Sequence, residues 1–399
     1  MIEVRNVDSY EWMGLQKSFP FLLPGRIQFG PGVAQTIGQE ATSFGQSVMV
    51  VTDQGVRGAG LIEPIVSELE RAGLECSVFA EVEANPRIAT VEKAAAAAKE
   101  HGAEMLVAVG GGSVIDTAKV VSAIVSHGGG VLEYEGYDRV PGPVIPLIAL
   151  PTTSGTGSEV TFWAVVTDVS RSYKLAVSSV LLAPRVALVD PLLTKSLPPT
   201  VTAGTGLDAL SHAIEAYTAR CSNPISDALA LYAIELVALN LERAVHDGAD
   251  VEARCGMALA SLIAGISFGN ADTSAAHAMA EALGGVFDTP HGLACAVCLP
   301  YMTRFNLPAV TVKTARIGQA LGLPTAKLPL EEAAEATIEG LVALGKRVGI
   351  PTMRSFGVTE ADIPLLVSIA LLNVGNADNP ADVDEAVFSS LFKEALVQD

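Results

Sequence analysis

The chain holds only six histidines, and three of them fall with one aspartate into a pattern fit to hold a metal ion. Asp208 and His212 are four residues apart, so on a helix they share a face and can meet one ion. His277 lies on a second expected helix, and His291 follows Asp288-Thr289-Pro290 just before a third. One carboxylate and three imidazoles suit Fe2+ or Zn2+, whereas Ca2+ and Mg2+ want more oxygen. The competing reading of each histidine is a hydrogen-bonded core residue. His101, His127 and His246 fall near expected helix ends and read as surface or capping residues. Glu281 shares the helix face of His277 four residues earlier. It is a fifth ligand, a proton-transfer group or an ordinary helix carboxylate.

A second chemistry sits in two loops. Leu106-Val107-Ala108-Val109 runs through Gly110-Gly111-Gly112-Ser113 into a helix carrying Asp116 and Lys119. Backbone without Cβ atoms approaches a ligand closely there, and the helix start offers free N–H groups to a pyrophosphate. The pattern is neither GxGxxG nor a P-loop, and a tight turn with no ligand is the competing reading. Pro151-Thr152-Thr153-Ser154-Gly155-Thr156-Gly157-Ser158-Glu159 follows another apolar strand and strengthens the first loop. Asp53 ends the run at 48–52 and fits the two hydroxyls of an adenosine ribose, favouring NAD over NADP; the alternative is a helix N-cap.

These residues must be positioned by two unlike halves. Short β-branched runs at 47–52, 105–109 and 144–150 alternate with helical stretches at 62–72, 88–101 and 115–126, a βαβ rhythm. Strands so uniformly apolar belong in a parallel sheet covered on both faces. Further strand-like runs at 160–169, 174–177 and 186–189 close this half. After Leu197-Pro198-Pro199-Thr200 the pattern becomes successive helices, near 209–219, 226–246, 251–265, 274–283, 292–305 and 330–348. The spacing predicts an α/β domain over 1–195 and an all-helical domain over 196–399, with a ligand cleft between them.

Composition narrows the function. The 399 residues carry 25 Lys plus Arg against 44 Asp plus Glu, a formal charge of −19, with 50% apolar residues, 37 Gly and 22 Pro. This describes a globular chain and disfavours nucleic acid and anionic membranes as partners. The N-terminus, 1–19, lacks the pattern of a signal peptide, and the run 256–269 is short for a bilayer, so a cytoplasmic protein is expected. Five cysteines argue for a reducing compartment, and Cys295 with Cys298 forms a lone CxxC in an apolar helical run with nothing redox-like around it.

Four motifs in order match a known family: Gly110-Gly111-Gly112-Ser113 with Asp116-Thr117-Ala118-Lys119; the loop 151–159; Gly206-Leu207-Asp208 with His212-Ala213-Ile214-Glu215-Ala216-Tyr217; and His277-Ala278-Met279-Ala280 with Thr289-Pro290-His291-Gly292. From about Gly25 to its C-terminus the chain resembles the iron-dependent (group III) alcohol dehydrogenases. The resemblance implies an α/β nucleotide-binding domain followed by an all-α domain, an architecture shared with dehydroquinate-synthase-like proteins. It implies NAD, one divalent metal (Fe2+ ahead of Zn2+), and at least a homodimer. Carried over by position, Asp208, His212, His277 and His291 are the metal ligands. Asp53, Asn85, Gly111, Gly112, Ser113, Asp116, Thr152, Thr153, Thr156, Val165, Lys174 and the stretch from Leu193 to Leu197 are the cofactor contacts. The implied reaction is reversible hydride transfer between nicotinamide and a small primary alcohol, diol or related aldehyde.

Two departures stand out. The family usually carries a second histidine where this chain has Glu281, so Glu281 takes over the proton relay or leaves it to water. Asn379-Pro380-Ala381 replaces Asn-Pro-Arg, removing a cation that would help bind an acidic substrate. Rival readings are a maleylacetate-reductase-like enzyme, a phosphate-eliminating dehydroquinate-synthase-like enzyme and a non-catalytic nucleotide- or metal-binding sensor. The quartet argues against the first, and no Lys and Arg cluster supports the second. Gly265-Ile266-Ser267-Phe268-Gly269 fits GxSxG but lies in a helical run, not a strand-turn-helix elbow.

Overall fold

The computed structural model describes residues 18–23 and 25–397; up to residue 17, the N-terminal reading lies outside them. Six strands form one wholly parallel sheet: β1 (Arg26–Phe29), β2 (Ser47–Val51), β3 (Glu75–Phe79), β4 (Met105–Gly110), β6 (Leu147–Pro151) and β9 (Val186–Val189). Their order is β1-β9-β6-β4-β2-β3. Alternation along β2, β4 and β6 sends side chains to two separate cores. Met49, Val51, Leu106, Ala108, Leu147 and Ala149 pack under helices α4 (Ile88–His101) and α5 (Gly112–His127). Val48, Val50, Met105, Val107, Ile148 and Leu150 pack with α1 (Ile37–Ala41) and α3 (Ile62–Arg71), while α2 (Gln54–Gly58) follows β2 directly.

One expected strand is corrected. The run 160–169 is broken: Ser158–Val160 is a 3₁₀ turn and the strand is only β7 (Trp163–Asp168). The hydroxyl loop must turn tightly there to reach α5, which interrupts an otherwise β-branched stretch. β7 pairs antiparallel with β8 (Tyr173–Ser178), and β8 parallel with the short β5 (Gly136–Tyr137), making a small second sheet outside the main one.

The remaining chain is helical: α6 (Pro199–Thr218), α7 (Pro224–His246), α8 (Val251–Phe268), α9 (Ala275–Phe287), α10 (His291–Ala320), α11 (Leu330–Arg347), α12 (Ile363–Ala370) and α13 (Glu385–Val397). The run 256–269 falls on the 18-residue helix α8 except for Gly269, which caps its C-terminal end. α7, α8 and α10 are each long and apolar enough to cross a membrane by length and composition, and about half of each is buried inside the protein. They enclose one core with α6 and α9. The two halves meet where Val160, Ala187 and Val189 pack on Ala258 and Leu262 of α8. His101, His127 and His246 are the last residues of α4, α5 and α7, where a helix favours cations.

Candidate metal centre and cofactor cleft

α6 aims Asp208 and His212 at the N-terminal ends of α9 and α10, which bring His277 and His291. One donor atom from each of the four lies within 4.8 Å of every other. Asp208 Oδ1 is 4.0 Å from His212 Nδ1, 3.9 Å from His277 Nε2 and 3.6 Å from His291 Nε2. Asp208 is 1% exposed, and Asp208 Oδ1, His277 Nε2 and His291 Nδ1 are buried atoms without a hydrogen-bond partner. Leaving such groups unpaired is costly, so the donors fit a divalent cation in their midst.

The rings are held from behind. Glu215, two turns after Asp208 on α6, takes His277 Nδ1 on Oε2, while its Oε1 accepts from the backbone N–H of Ala276 at 2.9 Å and the hydroxyl of Ser274 at 2.7 Å. One buried carboxylate thus caps α9 and turns His277 Nε2 inward. His212 Nδ1 is 3.3 Å from the Gly155 carbonyl, which leaves Nε2 free, and the ring stacks on Phe268 at 4.2 Å and on His277 at 4.6 Å. Burial pushes His212 down to about 4 and His291 down to about 3, so both are neutral, as ligation requires. Burial opposes ionisation of Asp208, but the three histidines outweigh it and hold the carboxyl below its ordinary value. Burial likewise opposes the His277 charge, yet Cys295 and Glu215 hold that imidazole well above its ordinary value.

A cavity of about 190 Å3 opens from this cage toward the sheet. His212, His277, His291 and Glu281 line it together with Asn85, Gly112, Ser113, Asp116, Thr156, Val165 and Lys174. A Cβ on Gly112 would stand 2.6 Å from Thr156 Cγ2, so this backbone is kept bare beside the opening. Asn85 spans the two halves, donating to Asp288 Oδ1 at 2.7 Å and accepting from Lys174 Nζ at 2.8 Å. Burial lowers Lys174. Asp116 reaches the cavity, but Ser158 Oγ occupies Oδ1 at 2.5 Å and the Val165 N–H occupies Oδ2 at 2.9 Å. Its geometry is that of a brace between loop, helix and β7.

Asp53, Gly111, Thr152, Thr153, Leu193 and Leu197 are not among the cavity's lining residues. Asp53 is the N-cap of α2, with Oδ1 accepting from the Val56 N–H at 2.8 Å. A ribose contact would fall to its other oxygen. Gly111 is the N-cap of α5, and a Cβ there would meet the Thr153 side chain at 3.2 Å. Thr152 is buried and its N–H donates to the Gly110 carbonyl at 3.0 Å. Leu193 packs in the core beneath the sheet, and the Leu197 carbonyl accepts from Arg254 Nη2 at 3.4 Å.

Several other expectations resolve. Glu281 stands outside the ligand quartet, and its Oε2 accepts from Asn373 Nδ2 at 2.5 Å. Asn379 is fully buried in a reciprocal pair with Asn306, at 2.9 and 2.8 Å, and neither residue is among those that line the cavity. Gly265 of the GxSxG match packs its Cα against Gly157, and Ser267 is buried, donating to the Ser226 carbonyl. Glu215, the Gly155 carbonyl, Asp272 and Asn373 were not singled out by type or spacing.

A bare-backbone turn at the strand ends facing a nitrogen-oxygen cage fits a metal-assisted enzyme that also binds a nucleotide cofactor. Comparison with known proteins narrows this class. The profile "Iron-containing alcohol dehydrogenase" matches residues 24–191, and "Fe-containing alcohol dehydrogenase family, C-terminal" matches 202–396. "Choline dehydrogenase" of Bacillus subtilis is 40% identical, over 96% of this chain and 96% of its own length. "NAD-dependent methanol dehydrogenase" of Bacillus methanolicus is 36% identical, over 94% of this chain and 99% of its own. A solved 1,3-propanediol oxidoreductase superposes with a TM-score of 0.92 at 38% identity, covering 95% of this chain and all of that one. The chain belongs to the iron-containing alcohol dehydrogenase family and is an oxidoreductase acting on the alcohol group.

Proposed function

We propose that the chain interconverts small primary alcohols or diols and their aldehydes with NAD in preference to NADP, using one divalent ion, Fe2+ ahead of Zn2+, held by Asp208, His212, His277 and His291. The single observation that carries this reading is the gathering of four donor atoms around Asp208, two of which, Asp208 Oδ1 and His277 Nε2, are buried without a hydrogen-bond partner. When bound, the ion polarises the substrate oxygen and the nicotinamide exchanges the hydride. The chain's own work is placement. Glu215 and the Gly155 carbonyl fix two imidazoles, the bare backbone at Gly111 and Gly112 receives the pyrophosphate, and Lys174 and Asn85 close the wall between the halves. Thr152, Thr153, Thr156, Ser113, Val165, Leu193 and Leu197 shape or support the cofactor's bed, and Asp53 selects against a 2′-phosphate.

Glu281 is proposed to relay the alcohol proton through Oε1, since Oε2 is engaged by Asn373. Burial raises its pKa, which suits a group that must both take and release a proton. Asp272 joins Glu281 on the cavity wall, so neutral or cationic alcohols suit the site better than acidic ones.

The division at residue 195 has its support in the interval between the end of β9 and the start of α6. A homodimer or larger homo-oligomer is proposed on the exposed apolar side chains Tyr232 and Leu239 of α7, and a cytoplasmic setting on the five free thiols. The test is a panel of methanol, 1,3-propanediol and choline, with NAD+ and with NADP+, on metal-loaded protein. Reduction of NAD+ by at least one alcohol is expected; cofactor binding without turnover of any alcohol would favour the sensor. Glu281→Gln should lower the rate and flatten its pH profile, whereas an unchanged profile would return Glu281 to a wall residue.

A further inference from the structure

Beside the cage, one stretch of the cavity wall brings aromatic rings together with a carboxylate that no cation of the chain neutralises. Phe268, the last residue of α8, stacks one face on His212 at 4.2 Å and also lines the cavity. The chain turns straight after it, the Ala271 N–H donating to the Phe268 carbonyl at 3.2 Å, and sets Asp272 on the same wall. Asp272 lies in the left-handed region at φ 54°, a conformation uncommon outside glycine and enriched where ligands are held. Its Oδ1 accepts from the Thr273 N–H at 2.8 Å, and among the described residues no Lys or Arg pairs with the carboxylate. Burial raises its pKa to about 6, so the group is charged near neutral pH and above. Trp163, the first residue of β7, lines the same cavity. Lys119 Nζ pins its carbonyl at 2.6 Å, and the Tyr137 ring meets its indole edge-on at 5.1 Å. Burial and then the Asp272 charge push the Tyr137 hydroxyl up to about 12, which sets the carboxylate beside the Tyr137–Trp163 pair. Lys174, also on the cavity wall, is paired across the hairpin with Thr167. That is four positions from Trp163, or roughly 13 Å at about 3.3 Å per residue. The carboxylates acting on Lys174 are Glu281, Asp288 and Asp208.

We propose that Asp272, Trp163 and Phe268 form a subsite for the quaternary ammonium group of a short alcohol whose hydroxyl is directed at the metal cage. The proposal rests on this cavity being the alcohol site of the reaction proposed above. A quaternary nitrogen donates no hydrogen bond and spreads its charge over its methyl groups, so ring faces and a nearby carboxylate recognise it. A carboxylate held partly out of water without a protein cation is costly in the empty site, and such a substrate offsets that cost. Phe268 touches both His212 and the cavity, so the cation lies a short carbon chain from the cage. The nitrogen takes no part in the hydride step. An alcohol carrying a carboxylate would be repelled from the same wall.

The test compares choline with 3,3-dimethyl-1-butanol, which has the same shape and no charge, on metal-loaded protein with NAD+. The kcat/KM for choline is expected to exceed that for the uncharged alcohol by about tenfold, the scale of a desolvated cation on an aromatic face. Asp272→Asn removes the charge while keeping a side chain that tolerates the left-handed backbone. It should bring the two values together by raising KM for choline more than it lowers kcat. Tetramethylammonium, titrated calorimetrically into the same loaded protein, should bind the parent, and should bind Asp272→Asn and Trp163→Ala about tenfold more weakly. Equal kcat/KM for the two alcohols in the parent, or no binding of tetramethylammonium, would overturn the subsite and leave the alcohol dehydrogenase reading standing. Turnover of neither alcohol nor of 1,3-propanediol, with tetramethylammonium still bound through Asp272, would overturn that reading and keep the cation site. Should the variants fold poorly, the comparison of the two alcohols on the parent chain still decides the question.

Discussion

At the scale of single residues, two carboxylates do more than their positions announce. Glu215 satisfies the open end of α9 and fixes the tautomer of His277 in one stroke. Glu215→Gln should lower metal affinity about 10- to 100-fold while the helical fold persists, read by metal competition and by circular dichroism. Unchanged affinity would reduce Glu215 to a helix cap. Glu159, buried in the hydroxyl loop, is raised by burial from an ordinary 4.5 to about 7. The folded chain therefore holds a proton there that the unfolded chain gives up at lower pH. The stability this supplies is complete below about 4.5 and is lost as pH rises through about 7. Glu159→Gln, neutral throughout, should gain on the parent chain between pH 5 and 8 by on the order of 2 kcal/mol in urea unfolding. A difference independent of pH would contradict this.

At the scale of elements, the two loops are held by close packing and one buried cation. Lys119 Nζ donates to Ser158 Oγ at 2.8 Å, Thr161 Oγ1 at 3.1 Å and the Trp163 carbonyl at 2.6 Å, tying the loop to α5. Gly157, at φ 58°, lies against α8, and a Cβ there would sit 2.5 Å from Gly265 Cα. Gly157→Ala is expected to cost about 1 to 3 kcal/mol in thermal or denaturant unfolding and to raise KM for NAD+ more than it lowers kcat. An unaltered KM would detach the loop from the cofactor. The central strands and α4 were legible because their residues are buried in a regular rhythm; α4 spans 88–101 as the periodicity indicates. β1 and β3 were not, because they are the sheet's two edges, with partly exposed residues and no apolar run to read. The first ten residues of α6 escaped for another reason: the threonines and glycines there have poor helix propensity, and packing overrides it. Residue type and spacing grouped Asp208, His212, His277 and His291 as one candidate set, and the structure gathers their donor atoms in one place. The Gly155 carbonyl was not legible, because any residue supplies a carbonyl, and only the fold brings that one to His212.

At the scale of the whole molecule, the cleft exists because a parallel sheet ends its strands against a helical bundle. The apolar contact of Val160, Ala187 and Val189 with Ala258 and Leu262, and the hydrogen bond from Asn85 to Asp288, set the distance between cofactor bed and cage. The net charge of −19 opposes polyanionic partners. The most direct test of this arrangement is metal content per chain, measured by elemental analysis on the parent protein and on Asp208→Ala, alongside NAD+-linked alcohol oxidation. About one divalent ion per parent chain is expected, with both ion and turnover lost in a variant that still folds and binds NAD+. An Asp208→Ala protein that retains its metal and its full rate would contradict it.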